Sequence, residues 1–175
     1  LPWLIAVAAC LMLFFKSTSN SPKPEIVEIV KEKPLTAILV NEANAKFANG
    51  RSIDDVKFSP GNYKLTEGAV HLRFSSGADL VVEAPAELKI VDAMNTKLIS
   101  GKVRAMVPPP AHGFTVSAYD VNYEDIGTEF GLIVNEKNSS SELHVFDGQV
   151  NVKDPKTDKL LKKVFKGQAV SYVDG

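Results

Sequence analysis

The stretch Leu65-Thr66-Glu67-Gly68-Ala69-Val70-His71-Leu72-Arg73-Phe74 decides the fold class. Val70, Leu72 and Phe74 alternate with His71 and Arg73, and a period of two places the three apolar side chains on one face of a strand. Working outward, the alternation returns in Leu143 and Val145 against Glu142 and His144, and in Val150 and Val152 against Gln149 and Asn151. The glycine also returns. Leu65–Val70, Leu98–Val103, Val145–Val150 and Val164–Ala169 all read apolar-x-x-Gly-x-apolar, with a polar or charged residue just before the glycine. Such a unit is a strand, a tight corner that needs the φ freedom of glycine, and another strand. The units are irregularly spaced, which argues against a strict repeat array. After residue 34 no stretch keeps a 3.6-residue period for three turns, and Thr36–Ala48 comes nearest to one. The expected fold is therefore all-β: a short-stranded two-sheet sandwich with solenoid-like winding over residues 35–175.

Composition limits what such a domain can do. With 175 residues and 45% hydrophobic content there is material for one packed core. A formal net charge of −1 supplies no long-range field for general nucleic-acid binding, so no nucleic-acid partner is expected. Cys10 is the only cysteine, which excludes an internal disulfide and a cysteine-based zinc cluster.

Leu1–Phe15 is apolar throughout and ends at Lys16. Fifteen helical residues reach about 22 Å, short of the roughly 30 Å hydrocarbon core. A signal-peptide core has this length, but no A-x-A cleavage site follows. The expectation is a membrane helix over residues 1–15 whose first residues are missing, anchoring the chain to the membrane. Val7-Ala8-Ala9-Cys10 has the form of a lipoprotein box, yet the apolar run continues through Leu11–Phe15 past the cysteine. Residues 16–34, rich in Ser, Thr and Pro, are expected to be a linker.

The glycine corners, together with Gly61–Gly68, Phe74–Leu88, Gly113-Phe114-Thr115-Val116 and Ile126-Gly127-Thr128-Glu129-Phe130-Gly131, resemble the FecR family in their order and spacing. The resemblance covers residues 61–172 and is closest to planctomycete-type members. It implies an extracytoplasmic β domain on a single-pass inner-membrane protein, with the domain in the periplasm and a role in envelope sensing and signal transduction. It further implies an envelope protein partner, and a sigma factor bound through a cytoplasmic anti-sigma segment upstream of Leu1. The motif residues Gly68, Gly77, Gly101, Gly127, Thr128, Phe130, Gly131, Gly148 and Gly167 are read as architectural: tight turns, a local hydrogen bond at Thr128 and a core side chain at Phe130. A non-signalling envelope scaffold or carbohydrate-binding module is the alternative.

The remaining constellations carry little chemistry. His71 and His144 fall on the polar faces of predicted strands and His112 in the Pro108–Gly113 loop, with no ligand-like spacing for a metal. Glu124, Asp125 and Glu129 crowd one turn, and paired carboxylates can serve glycoside hydrolysis; the simpler reading is solvated partners of the turn. Asp120-x-Asn122-x-Glu124 echoes a calcium loop but has Asp125 where glycine is required. Nucleophile elbows and phosphate-binding glycine loops are missing. Lys153–Lys166 holds six lysines and reads as a solvated hairpin. No cofactor, no metal and no enzymatic activity are expected.

Overall fold

The computed structural model describes residues 34–48 and 50–173. The apolar segment 1–15 and the linker up to residue 33 lie outside the described residues. Among those described, twelve strands account for nearly all regular structure: β1 (Ala37–Phe47), β2 (Lys57–Phe58), β3 (Gly61–Phe74), β4 (Asp79–Ile90), β5 (Asn95–Met106), β6 (Thr115–Ala118), β7 (Val121–Asp125), β8 (Glu129–Asn135), β9 (Ser140–Asp147), β10 (Gln149–Lys153), β11 (Leu160–Phe165) and β12 (Ala169–Val173). Two 3₁₀ turns, Pro109–Ala111 and Glu136–Asn138, complete the set. The chain is all-β, as the alternation predicts. Thr36–Ala48, the nearest candidate for a helix, is strand β1 with its flanks.

The strands follow from the period-two pattern. In β7, Val121, Tyr123 and Asp125 point inward while Asn122 and Glu124 point outward. In β9 the inward set is Ser141, Leu143 and Val145. In these two strands one side supplies core and the other is largely polar.

Two departures from a simple short-stranded sandwich shape the molecule. First, β1, β3, β4 and β5 are 11, 14, 12 and 12 residues long, and they are creased. Register jumps between Ala43 and Lys46 against β3, between Leu65 and Ala69 against β4, and between Glu83 and Glu87 against β5. The jumps line up across neighbouring strands, and bulges so placed bend a sheet. Side chains from both sides of the crease, Leu65 and Val70 among them, meet Phe47, Phe58 and Leu88 around one interior void of only ≈ 10 Å³. The sheet folds onto itself there.

Second, a single hydrogen-bonded network builds both layers, and it forks at β5. Residues Asn95–Lys97 pair in parallel with Thr115–Ser117 of β6, which leads to β7, β10 and β11. Farther along the same strand, Gly101–Met106 pair antiparallel with β8, which leads to β9 and β12. The two branches face each other across a core that includes Phe74, Phe114, Tyr123, Phe130 and Leu143, all fully buried. Burying each such aromatic is worth roughly 1.5–3 kcal/mol.

Tyr123 from one branch donates or accepts a 2.7 Å hydrogen bond with Ser141 Oγ of the other, and its ring meets Tyr172 edge-on at 6.4 Å. Burial pushes the Tyr123 phenol up to about 12, so it stays protonated and hydrogen-bonding at any ordinary pH. Replacing Tyr123 by phenylalanine strands the buried Ser141 hydroxyl and is expected to cost about 1–2 kcal/mol. The urea midpoint reads this, and adding Ser141→Ala should restore part of the loss. If Tyr123→Phe leaves the midpoint unmoved, the bond does not help hold the layers together.

Candidate functional site

Two of the expected motif residues, Gly127 and Thr128, form the turn between β7 and β8. Asp125 is fully buried, and its Oδ1 accepts the backbone N–H groups of Gly127 (2.5 Å) and Thr128 (3.2 Å). The turn is tied to its surroundings by main-chain bonds on every side. Asp125 N–H donates to Phe114, Gly113 N–H to Asp125, Ile126 N–H to Gln149, and Val107 N–H to Thr128. His112 lies over Gly127, where a Cβ would come within 2.5 Å of its Nε2. The local hydrogen bond expected at Thr128 is made by its backbone N–H, whereas its buried hydroxyl and Asp125 Oδ2 have no partner among the described residues.

Burial pushes the Asp125 carboxyl up to about 7, and the two turn N–H bonds pull against that shift without cancelling it. A carboxyl in this environment is protonated over the acidic range and becomes a costly buried anion above neutrality. The group is held inside the fold, fully buried among the described residues.

The other motif residues lie elsewhere. Phe130 is a core side chain of β8 and Gly131 follows it, close to the Phe146 ring. Gly68 and Gly101 occupy the crease, and Gly77, Gly148 and Gly167 turn the chain between strands. The three carboxylates of the 124–129 segment do not form a pair. Glu124 accepts from Lys153 Nζ (2.8 Å) and Asn151 Nδ2 (3.1 Å) on the outer face, Asp125 is interior, and Glu129 is held by Arg104. The histidines are not gathered either: His71 contacts Asp79 Oδ1 at 2.9 Å and His144 contacts Glu142 at 2.7 Å. Asp79, pushed up by burial, is pulled below its ordinary value by hydrogen bonds from Arg73 and His71. Among the described residues no group of three His, Cys, Asp or Glu side chains is placed to hold a metal ion, and no helix is long and apolar enough to cross a membrane.

An open, concave surface lies at the fork. Between the stretch of β5 that pairs with β6 and the stretch that pairs with β8, residues 98–100 are left between the branches. A hollow of ≈ 420 Å³ opens there, lined by Asn62, Lys89, Lys97, Leu98, Ile99 and Tyr119. On the crease next to it a groove of ≈ 570 Å³ runs past Lys64, Pro85, Ser100, Lys102, Ile133 and Lys137. Tyr119 stands between the two, lining the first while its hydroxyl donates to the Asn135 carbonyl (3.0 Å), which borders the second. In the larger groove Lys102 stands 3.9 Å from Glu83, and Lys64 reaches Glu87 just outside it at 3.7 Å. In the smaller hollow Lys89 and Lys97 make no such pair among the described residues. Sequence reasoning missed both, because each is assembled by strand pairing rather than by a local motif.

No protein-family model matches the chain, and no curated protein matches it. Among solved structures it is similar to a candidate anti-sigma factor from Parabacteroides distasonis ATCC 8503, with a TM-score of 0.51 at 11% identity, over 65% of this chain and 59% of that one. A second structure of a candidate anti-sigma factor from the same organism gives 0.47 at 12% identity, over 81% of this chain and 61% of the other. At such identities the first likeness is one of fold. The chain spans about three fifths of the length of the structures it matches.

Proposed function

We propose that this chain supplies the extracytoplasmic β domain of a membrane-tethered regulator of the FecR kind, working through protein contacts on a sigma-factor pathway rather than by catalysis. The observation that carries the reading is a coincidence of two independent likenesses. The ordered glycine corners that resemble the FecR family occupy the bends and turns of this fold, six of the seven motif glycines having positive φ. The fold itself is shared with a candidate anti-sigma factor. The periplasmic placement and the envelope partner rest on the resemblance, and the anchoring on the apolar run of residues 1–15.

Two measurements test it. In the host, deleting residues 35–175 from the gene is expected to change the transcripts of one alternative sigma factor's regulon, several-fold and in one direction. Alkaline phosphatase fused after residue 173 is expected to be active, as it is only outside the cytoplasm. Unchanged transcripts together with an active fusion would leave an envelope scaffold as the better reading. An inactive but stable fusion would overturn the placement.

A further inference from the structure

From Lys89 and Lys97 we infer that the outer sheet face at the fork is a binding site for an anionic polysaccharide, one bearing carboxylate or sulfate groups. The two lysines stand directly opposite each other on β4 and β5. Cross-strand partners have Cβ atoms about 4.5–5.5 Å apart, and like charges so placed repel. Neither ammonium has a carboxylate partner among the described residues. The acidic groups of the neighbouring strand positions are already engaged: Glu87 with Lys64, Asp92 in its own loop with Met94 and Asn95, and Glu124 with Lys153. Lys64, Lys102 and Lys153, the lysines nearest to the pair on this face, are each matched to a carboxylate. An uncompensated pair of cations lining a hollow is what an incoming anion would neutralise.

The surroundings select the class of anion. The pairing register places Asn62, Lys89, Lys97, Ser117, Asn122 and Lys153 side by side across six strands. At about 4.8 Å per strand this row is roughly 24 Å long. All six side chains are polar, and all are at least partly exposed. The Asn62 amide and Asn122 Nδ2 can hydrogen-bond sugar hydroxyls, Ser117 Oγ being spent as a donor on Asn122 Oδ1 (2.7 Å), while the Tyr119 ring and Ile99 give the hollow a less polar wall. A protein partner would need an apolar, desolvated centre of the kind that interfaces bury, and this row has none. A linear, hydroxylated chain with charged groups at intervals fits a long polar row with its cations concentrated at one point. The inference does not depend on the regulatory reading and would hold equally for a scaffold.

The test uses the full chain and named probes: polygalacturonate, dextran sulfate, neutral dextran, and vesicles of phosphatidylglycerol. Affinity electrophoresis is expected to show retardation by one or both polyanionic glycans, lost at high salt, and none by neutral dextran. The Lys89→Gln/Lys97→Gln variant should bind at least about tenfold more weakly, a loss of about 1.4 kcal/mol. The Lys162→Gln/Lys163→Gln variant on β11 removes the same charge and should bind as the native chain does. Because the first pair of substitutions relieves a repulsion, its melting temperature should not fall, which separates lost binding from lost folding. Equal weakening in both variants would show only diffuse charge attraction and overturn the site. So would binding to the vesicles without binding to either glycan, or failure to bind any probe.

Discussion

Asparagine at position 125 is expected to leave the domain more stable than the native chain above neutral pH, by up to about 4 kcal/mol, with little difference near pH 4. The native carboxyl titrates near 7 in the fold because it is buried, against about 3.9 in an unfolded chain. Between those values the folded state holds a proton that the unfolded state has released. Stability therefore falls as pH rises through the window, by about 1.4 kcal/mol per unit, and the full penalty is present above it. Asparagine cannot ionise, yet its carbonyl oxygen can accept the same Gly127 and Thr128 N–H groups that Asp125 Oδ1 accepts. Urea midpoints at about pH 4, 5.5 and 8 check this. Parallel profiles for the two proteins would mean that the carboxyl is not the buried, proton-holding group described above.

The second large effect belongs to the crease. Gly68 has φ +76°, and a Cβ there would run into the carbonyl oxygens of Ala43 and Asn44 on β1. Ala43 is held in the ladder with β3, and backbone carbonyls cannot swing away as a flexible side-chain end can. Gly68→Ala is expected to cost about 3–5 kcal/mol, the left-handed backbone strain plus the overlap. Gly167 is the internal control: its φ is +79°, and nothing lies within 4 Å of the added atom. Gly167→Ala should therefore cost only the strain, about 1–2 kcal/mol. Equal losses at the two positions would show that β1 can give way and that the crease is pliable.

The sequence reveals strand content and facing more readily than layout. Val70, Leu72 and Phe74 mark an inward face by themselves, since alternation needs no knowledge of the partner strand. The same rule held the clue to Asp125. Val121, Tyr123 and Asp125 are spaced by two, so an inward Tyr123 carries the carboxyl inward with it. Read only as one of three crowded acids, it passed for a solvated turn residue. The fork was not legible, because parallel pairing of β5 with β6 joins residues about twenty positions apart and leaves no local signature. Lys89 could be seen to face outward between Leu88 and Ile90, but its standoff with Lys97 depends on the hairpin register. The expected two-sheet layout became one continuous network for the same reason: hydrogen bonding along β5 serves both layers.

That shared strand limits where the chain could be cut and rejoined. Termini moved to the turn between β10 and β11 would free only one edge strand, since β11 has β10 as its sole strand partner. Termini opened within β5 would interrupt the one strand that carries both branches, β6 on its first part and β8 on its last. The domain cannot be divided into two fragments that each keep a complete layer, and its two faces stand or fall as one cooperative piece.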